Sequence, residues 1–292
     1  MRIGVVLPPC GADGAASVAS QARHAESCGL ESVWKGDHLI TADPVLDSVV
    51  MLTAAATATE RIKVGFAVLV LALRPVALVA KQVATLQLLS RERVLLGVGI
   101  GDPAHGEAGW RAVGGCLAGR GRRTDAALEV LPSLVTGKST VVAAEPVRLA
   151  PSATMPPLLV GGNSAAAIRR SAWYGDEWFP AFPATKAVAA GARTLSRFAD
   201  SIGRPVPGIT AGVCAALGNV PAATVERQAR ALSRHGSAKE MRDALAVGKP
   251  SKVAERFAAF GEAGADRVVV TPFGGEWYRQ VELLGEVVDH FA

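Results

Sequence analysis

Between Arg93 and Asp102 the chain reads Arg-Val-Leu-Leu-Gly-Val-Gly-Ile-Gly-Asp. Val94 to Val98 has the uninterrupted apolar character of a strand buried on both faces, and glycines and an acid follow at once. The design returns at Pro157-Leu158-Leu159-Val160-Gly161-Gly162-Asn163-Ser164, which runs straight into Ala165-Ala166-Ala167-Ile168. A strand buried on both faces needs helices to cover it, so these stretches confine the chain to a parallel α/β architecture. Glycine admits close backbone approach, and free N–H groups at a helix start attract anions. Two strand ends of this kind predict a protein that binds something phosphorylated at one face.

The rest of the chain repeats the alternation. Strands are predicted at Arg2–Leu7, Glu31–Lys35, Ile62–Leu71, Val94–Val98, Pro157–Val160, Asp176–Pro180, Gly208–Leu217 and Arg267–Thr271. Helical spacing occupies Ser17–Cys28, Asp43–Thr59, Pro75–Leu89, Arg123–Thr136, Ser164–Tyr174 and Thr185–Ile202. It continues over Ala222–Val247, with a break at Gly236-Ser237, then Ser251–Ala263 and Gly275–Phe291. Eight strand–helix units in 292 residues fit a closed (β/α)8 TIM barrel better than an open sheet. No linker or low-complexity segment divides the chain, so residues 1–292 are expected to form a single domain. Gly101 to Gly121 is the longest irregular connection expected. It leaves the C-terminal end of a strand, where barrel sites lie, and is placed to be a lid.

A net charge of +5 comes without a dense Lys/Arg block or interleaved aromatics, which argues against nucleic acid and for a small anionic ligand. Cysteines at 10, 28, 116 and 214 form no Cys-x-x-Cys pair and have no histidine at ligand spacing. No metal site is expected, and scattered thiols suit a reducing cytoplasm. The apolar start, Ile3 to Leu7, is too short for a signal peptide. The longest apolar run, Val64 to Leu73, stops at Arg74-Pro75, well short of the ~20 residues of a membrane span.

Several groups at predicted strand ends could carry chemistry. Asp37 and His38 follow the second strand, where an acid and an imidazole would meet a ligand or simply cap a turn. Asp102, after the fourth strand, suits either acid–base work or an N-cap. Gly161-Gly162-Asn163-Ser164 has the makings of a phosphate cradle. The spacing Gly97-x-Gly99-x-Gly101 departs from a dinucleotide fingerprint, and no ribose-binding acid follows. Arg120, Arg122 and Arg123 form a basic cluster that could pair with Asp125 and Glu129 or meet an anionic tail. Glu286 and His290, one helical turn apart near the chain end, read as a solvated face.

In order along the chain, these stretches resemble the bacterial-luciferase-like flavin and deazaflavin oxidoreductases. The resemblance is carried by Ile3-Gly4-Val5-Val6-Leu7-Pro8, Glu31 to His38, Ile62-Lys63-Val64-Gly65 through Arg74-Pro75, and Ala84 to Ser90. It continues through Arg93 to Gly101, Arg120 to Asp125, Val160 to Ser164, and Gly175-Asp176-Glu177-Trp178. It implies a barrel holding FMN, for oxygen insertion, or the 5-deazaflavin coenzyme F420, for hydride transfer, at its C-terminal mouth. It implies catalytic roles for Asp37, His38 and Asp102, and a coenzyme phosphate at Gly161, Gly162, Asn163 and Ser164. Gly99 and Gly101 would border the coenzyme. A non-prolyl cis peptide within Phe66-Ala67-Val68-Leu69 would back its ring with Ala67 and Val68. The loop Pro103-Ala104-His105-Gly106-Glu107-Ala108-Gly109-Trp110 departs from the family, many of whose members carry an acidic–aromatic pair there.

Compactness and basic balance favour hydride transfer between F420 and a small organic substrate over an FMN-dependent monooxygenase, which must shield its oxygen chemistry from water. A barrel that binds flavin without turning it over is the alternative of another class. A small-molecule substrate is the expected partner, with neither nucleic acid nor membrane, and a homodimer is a possible assembly.

Overall fold

The computed structural model describes residues 1–9, 15–41 and 44–291. β1 (Arg2–Val6) leads to α1 (Ala15–Ser27), β2 (Ser32–Lys35) to α2 (Ser48–Ala58), and β3 (Lys63–Phe66) with β4 (Leu69–Val70) to α3 (Val76–Leu89). β5 (Val94–Gly99) is followed by the short α4 (Ala108–Ala112) and the long α5 (Arg120–Val135). A hairpin, β6 (Thr140–Val142) and β7 (Glu145–Val147), precedes β8 (Leu158–Gly161) and α6 (Ala165–Tyr174). β9 (Glu177–Phe179) leads to α7 (Thr185–Ser201), and β10 (Gly208–Leu217) to α8 (Ala222–Ala231) and α9 (Ala238–Ala244). β11 (Ala246–Gly248) and α10 (Pro250–Glu262) come before β12 (Arg267–Pro272) and α11 (Trp277–Asp289).

The barrel runs β1-β2-β3-β5-β8-β9-β10-β12, every pairing parallel, and β12 closes it against β1. β3 and β4 share one position, since both pair with β5. Gly65 lies opposite Leu95 and Leu69 opposite Val98, so the β3–β4 side carries one residue more than its partner. That surplus is a bulge, and within it the Ala67–Val68 peptide is cis, inside the stretch predicted for it.

Trp34, Leu95, Leu159, Phe179 and Val269 fill the barrel interior. Trp34 is accommodated because its neighbours lack side chains: a Cβ on Gly4 or Gly65 would lie 2.4 or 2.3 Å from the indole. Below it, Arg267 enters from the start of β12. It donates to Glu177 at 2.7 Å, to Thr210 at 2.8 Å, and to both oxygens of Glu31 at 3.1 and 3.2 Å. Lys63 reaches Glu31 from the other side at 3.1 Å. Burial opposes the Glu31 charge, but Arg267, Ser32 and Lys63 more than offset it and hold the carboxyl below its ordinary value. The floor is thus a closed ionic network in which each charge has a partner.

Some predicted boundaries move. The helix expected from Asp43 begins at Ser48, where the Asp47 carboxylate accepts from the Val50 N–H at 3.0 Å; Asp43 lies outside the described residues. α5 begins at Arg120 rather than Arg123, and α4 occupies part of the connection expected to be irregular. The helix expected over Ala222–Val247 ends at Ala231 and restarts in a capping box between Ser237 and Glu240. Its last residues form β11 because β10 overruns the barrel and offers an unpaired edge, which Ala246 to Gly248 cover. The β6–β7 hairpin was not predicted: it is short and largely exposed, so no buried face marks it in the sequence. No helix among the described residues is long and apolar enough to cross a membrane.

Candidate active site

A cavity of about 920 Å³ opens at the C-terminal ends of the barrel strands, near the upper end of the range for small-molecule sites. Val6, Val68, Phe179 and Val269 form its apolar base, while polar groups converge at its rim.

The β3–β4 bulge, through Phe66 and Val68, explains three of the glycines that drew attention in the sequence. A Cβ on Gly99 would lie 2.4 Å from the Val68 side chain, one on Gly161 2.9 Å from it, and one on Gly97 1.9 Å from the Phe66 carbonyl oxygen. These glycines make room for the bulge, and Gly99 and Gly161 also border the cavity. Gly101 differs, since its φ of +80° is a left-handed conformation that lets the chain turn beneath Trp110.

Asp37 and His38, adjacent in sequence, have opposite environments. Asp37 is buried and both its oxygens are engaged. Arg74 grips them at 2.5 and 2.8 Å, the Ser48 hydroxyl donates at 3.1 Å, and the Val70 N–H donates at 3.0 Å. The carboxylate therefore ties the turn after β2 to the bulge and to the start of α2. His38 is exposed along the cavity, its ring folded back over Gly36 and packed edge-to-face on His105, with centroids 4.6 Å apart. Partial desolvation and then His105 push its pKa below the ordinary value; Lys35 and Arg234 add to this, and Asp37 opposes it.

Asp102 is half-buried and doubly used. It accepts from the Ala104 N–H at 2.9 Å, capping the turn Pro103–His105, and lies 3.4 Å from Arg234. Arg234 also donates to His235 at 3.1 Å, and His235 packs edge-to-face on Phe182. The turn Ser233–His235, between α8 and α9, thereby reaches the loop after β5 at the mouth. Burial and the Arg234 charge lower the His235 pKa, with Asp102 opposing.

At the predicted cradle the side chains are occupied. Asn163 exchanges two 2.8 Å hydrogen bonds with the Ala181 backbone, clasping the loops after β8 and β9. Ser164 accepts from the Ala167 N–H at 3.2 Å as the cap of α6, and the Gly162 N–H donates to the Phe179 carbonyl at 3.1 Å. Gly162 also adopts a φ of +128°. Donors remain in the first helical turn, where the N–H groups of Ala165 and Ala166 precede the first intrahelical bond.

The basic cluster divides. Arg123 stacks on Trp110 and holds the loop at Cys116 and Ala118, and Arg122 is exposed. Arg120 lines the cavity, and its buried Nε has no hydrogen-bond partner. The linear pattern marks Arg120 as part of a basic cluster but does not mark Lys35, Arg74, His105, Arg234 or His235 as site residues. Arg74 lies beyond the third strand and the last two lie in the turn between α8 and α9, so only chain folding brings them to Asp37 and Asp102.

The model of luciferase-like monooxygenases matches residues 1–267. The chain belongs to the luciferase-like monooxygenase family. An uncharacterised protein of Mycobacterium tuberculosis is 36% identical over 141 residues, which are 46% of this chain and 48% of that relative. The match thus spans about half the length of the curated relatives. Solved structures of the luciferase-like fold superpose over the whole chain. The coenzyme F420-dependent tetrahydromethanopterin reductase of Methanopyrus kandleri gives a TM-score of 0.77 at 19% identity, covering 100% of this chain and 99% of its own. The oxygenating constituent of 3,6-diketocamphane monooxygenase from Pseudomonas putida, in complex with FMN, gives 0.75 at 17%, covering 99% and 97%. At these identities the likeness is one of fold, and it extends to members that use either cofactor.

Proposed function

We propose that this luciferase-like protein is an oxidoreductase that transfers a hydride between the deazaflavin coenzyme F420 and a small organic substrate. The observation that carries the reading is the cavity at the barrel mouth. It combines an apolar base formed with the Ala67–Val68 bulge, free N–H groups at the α6 start, an unpartnered Arg120 Nε and two imidazoles. A flat apolar ring, a phosphate and a site of proton exchange would each find matching chemistry.

The coenzyme, when bound, supplies or accepts the hydride. Val68 and Ala67 would support its ring. Ser164 holds α6 in place so that the Ala165 and Ala166 N–H groups can receive the phosphate, and Arg120 adds positive charge at the lip. Asp37 acts by position: with both oxygens engaged, it holds Val70, and so the bulge, against the cavity. Asp102 likewise holds the turn that carries His105. His38 remains as the group placed to give a proton to, or take one from, a substrate oxygen.

An open rim supports hydride transfer over oxygen insertion. His38, Leu39, Ile40 and His105 all line the cavity and are exposed to solvent, whereas oxygen chemistry on a reduced flavin calls for exclusion of water. The deciding experiment measures the affinity of the purified protein for F420 and for FMN by fluorescence quenching. Tighter F420 binding is expected. Tight FMN binding with no detectable F420 binding would replace this reading with that of a monooxygenase, and binding of either without turnover of any hydride acceptor would make the barrel a carrier.

A further inference from the structure

The two carboxylates beside the cavity are committed to structure, Asp37 through Arg74, Ser48 and Val70, and Asp102 through Ala104 and Arg234. The imidazoles are disposed differently. His38 comes from the turn after β2 and His105 from the end of the turn after β5, and the rings meet edge-to-face at 4.6 Å with planes inclined by 62°. Both line the cavity. Both rings are exposed, but they face different parts of the mouth: the His38 Nε2 lies over Gly36 on the side of the Ala67 carbonyl and the bulge, whereas His105 belongs to the loop after β5.

We propose that His38 and His105 work as one proton carrier with two sites, His38 exchanging with the bound ligand and His105 with solvent. Its catalytic use rests on the oxidoreductase reading above; the pairing itself does not. In the direction of carbonyl reduction, the deazaflavin, when bound, would supply a hydride, and with it an electron pair, to the carbonyl carbon. The C=O π pair then forms the O–H bond with a proton from the His38 imidazolium. Neutral His38 recovers a proton through His105, and His105 recovers one from water. One substrate molecule consumes one hydride and one solvent proton, and no electrons pass through the rings. Because two cations at 4.6 Å repel, the pair carries one proton more readily than two, which keeps one imidazole ready to accept. The charged and titratable groups around His38 are His105 after β5, Lys35 and Asp37 on its own side, and Arg234 from the turn before α9.

The test requires neither coenzyme nor substrate. Protein labelled with carbon-13 at histidine Cε1 is titrated by NMR as wild type, H38Q, H105Q and H105F. The chain contains 5 histidines, and the variants assign the two of interest. H105Q should raise the His38 midpoint, since it removes the His105 charge that opposes protonation of His38. H105F keeps an aromatic ring in place without its charge and should behave as H105Q does. An unchanged His38 midpoint in H105Q, or a wild-type His38 midpoint in H105F, would overturn the proposal; the latter would reduce His105 to packing. Failure to bind either flavin or deazaflavin would remove the proposed function and leave this titration result standing.

Discussion

The two ends of this barrel use buried and half-buried charge in opposite ways. At the floor, Arg267 is 1% exposed and its guanidinium is shared among Glu31, Glu177 and Thr210. At the mouth, Arg234 is 47% exposed in its side chain, the His38 ring faces the cavity, and the Arg120 Nε has no partner. Both ends sit on the same strands. The floor satisfies its polar groups internally and therefore stabilises the barrel, whereas the mouth leaves groups that only a ligand or water can satisfy. Asp37 stands between the two, as a floor-like ion pair placed at the rim.

The largest expected effect is at the floor. Arg267→Ala leaves Glu31 and Glu177 without their shared partner and should cost about 3–5 kcal/mol in urea-induced unfolding. A loss below about 1 kcal/mol would show that the floor network is not the structural element described here. Asp37→Ala should cost less, about 1–3 kcal/mol, because Arg74 keeps Asp47 at 3.5 Å and some access to solvent. Unlike the floor variant, it should also weaken coenzyme binding in the folded protein, since the Val70 N–H loses the acceptor that anchors the bulge. Loss of stability with unchanged affinity would assign Asp37 wholly to the scaffold.

The smallest effect separates the two ends by pH. His38 has a folded pKa below its ordinary 6.5, so the unfolded chain takes up the proton first as the pH falls. Its contribution to stability is present above 6.5 and is lost on acidification below that value. Glu31 lies below its ordinary 4.5, and the stability it contributes is lost only as the pH falls from there through its folded value. Unfolding free energy measured against pH should therefore decline in two stages, the mouth before the floor. H38Q should flatten part of the upper stage, with His235 retaining the rest, and leave the lower stage in place. A single acid limb unaffected by H38Q would remove the distinction.

The sequence by itself determined the barrel. Its apolar strands, such as Val94 to Val98 and Leu158 to Val160, alternate with helical spacing, and period and burial are local properties that a linear pattern records. It also located the mouth, because Asp37, His38, Asp102 and Gly161 to Ser164 each follow a strand. The placing of the cis peptide within Phe66 to Leu69 came from family resemblance rather than from pattern. Tertiary structure alone decided what these residues do. Asp37 becomes a tie because Arg74, 37 residues away, closes on it. Gly99 and Gly161 become spaces for Val68, and Asn163 becomes a clasp on Ala181. His105 meets His38 only because β5 lies two places from β2 in the closed sheet. A side chain's chemistry follows from the partners that fill its lone pairs and from the water it loses. In a barrel those partners come from different strand ends, at separations that no local pattern encodes.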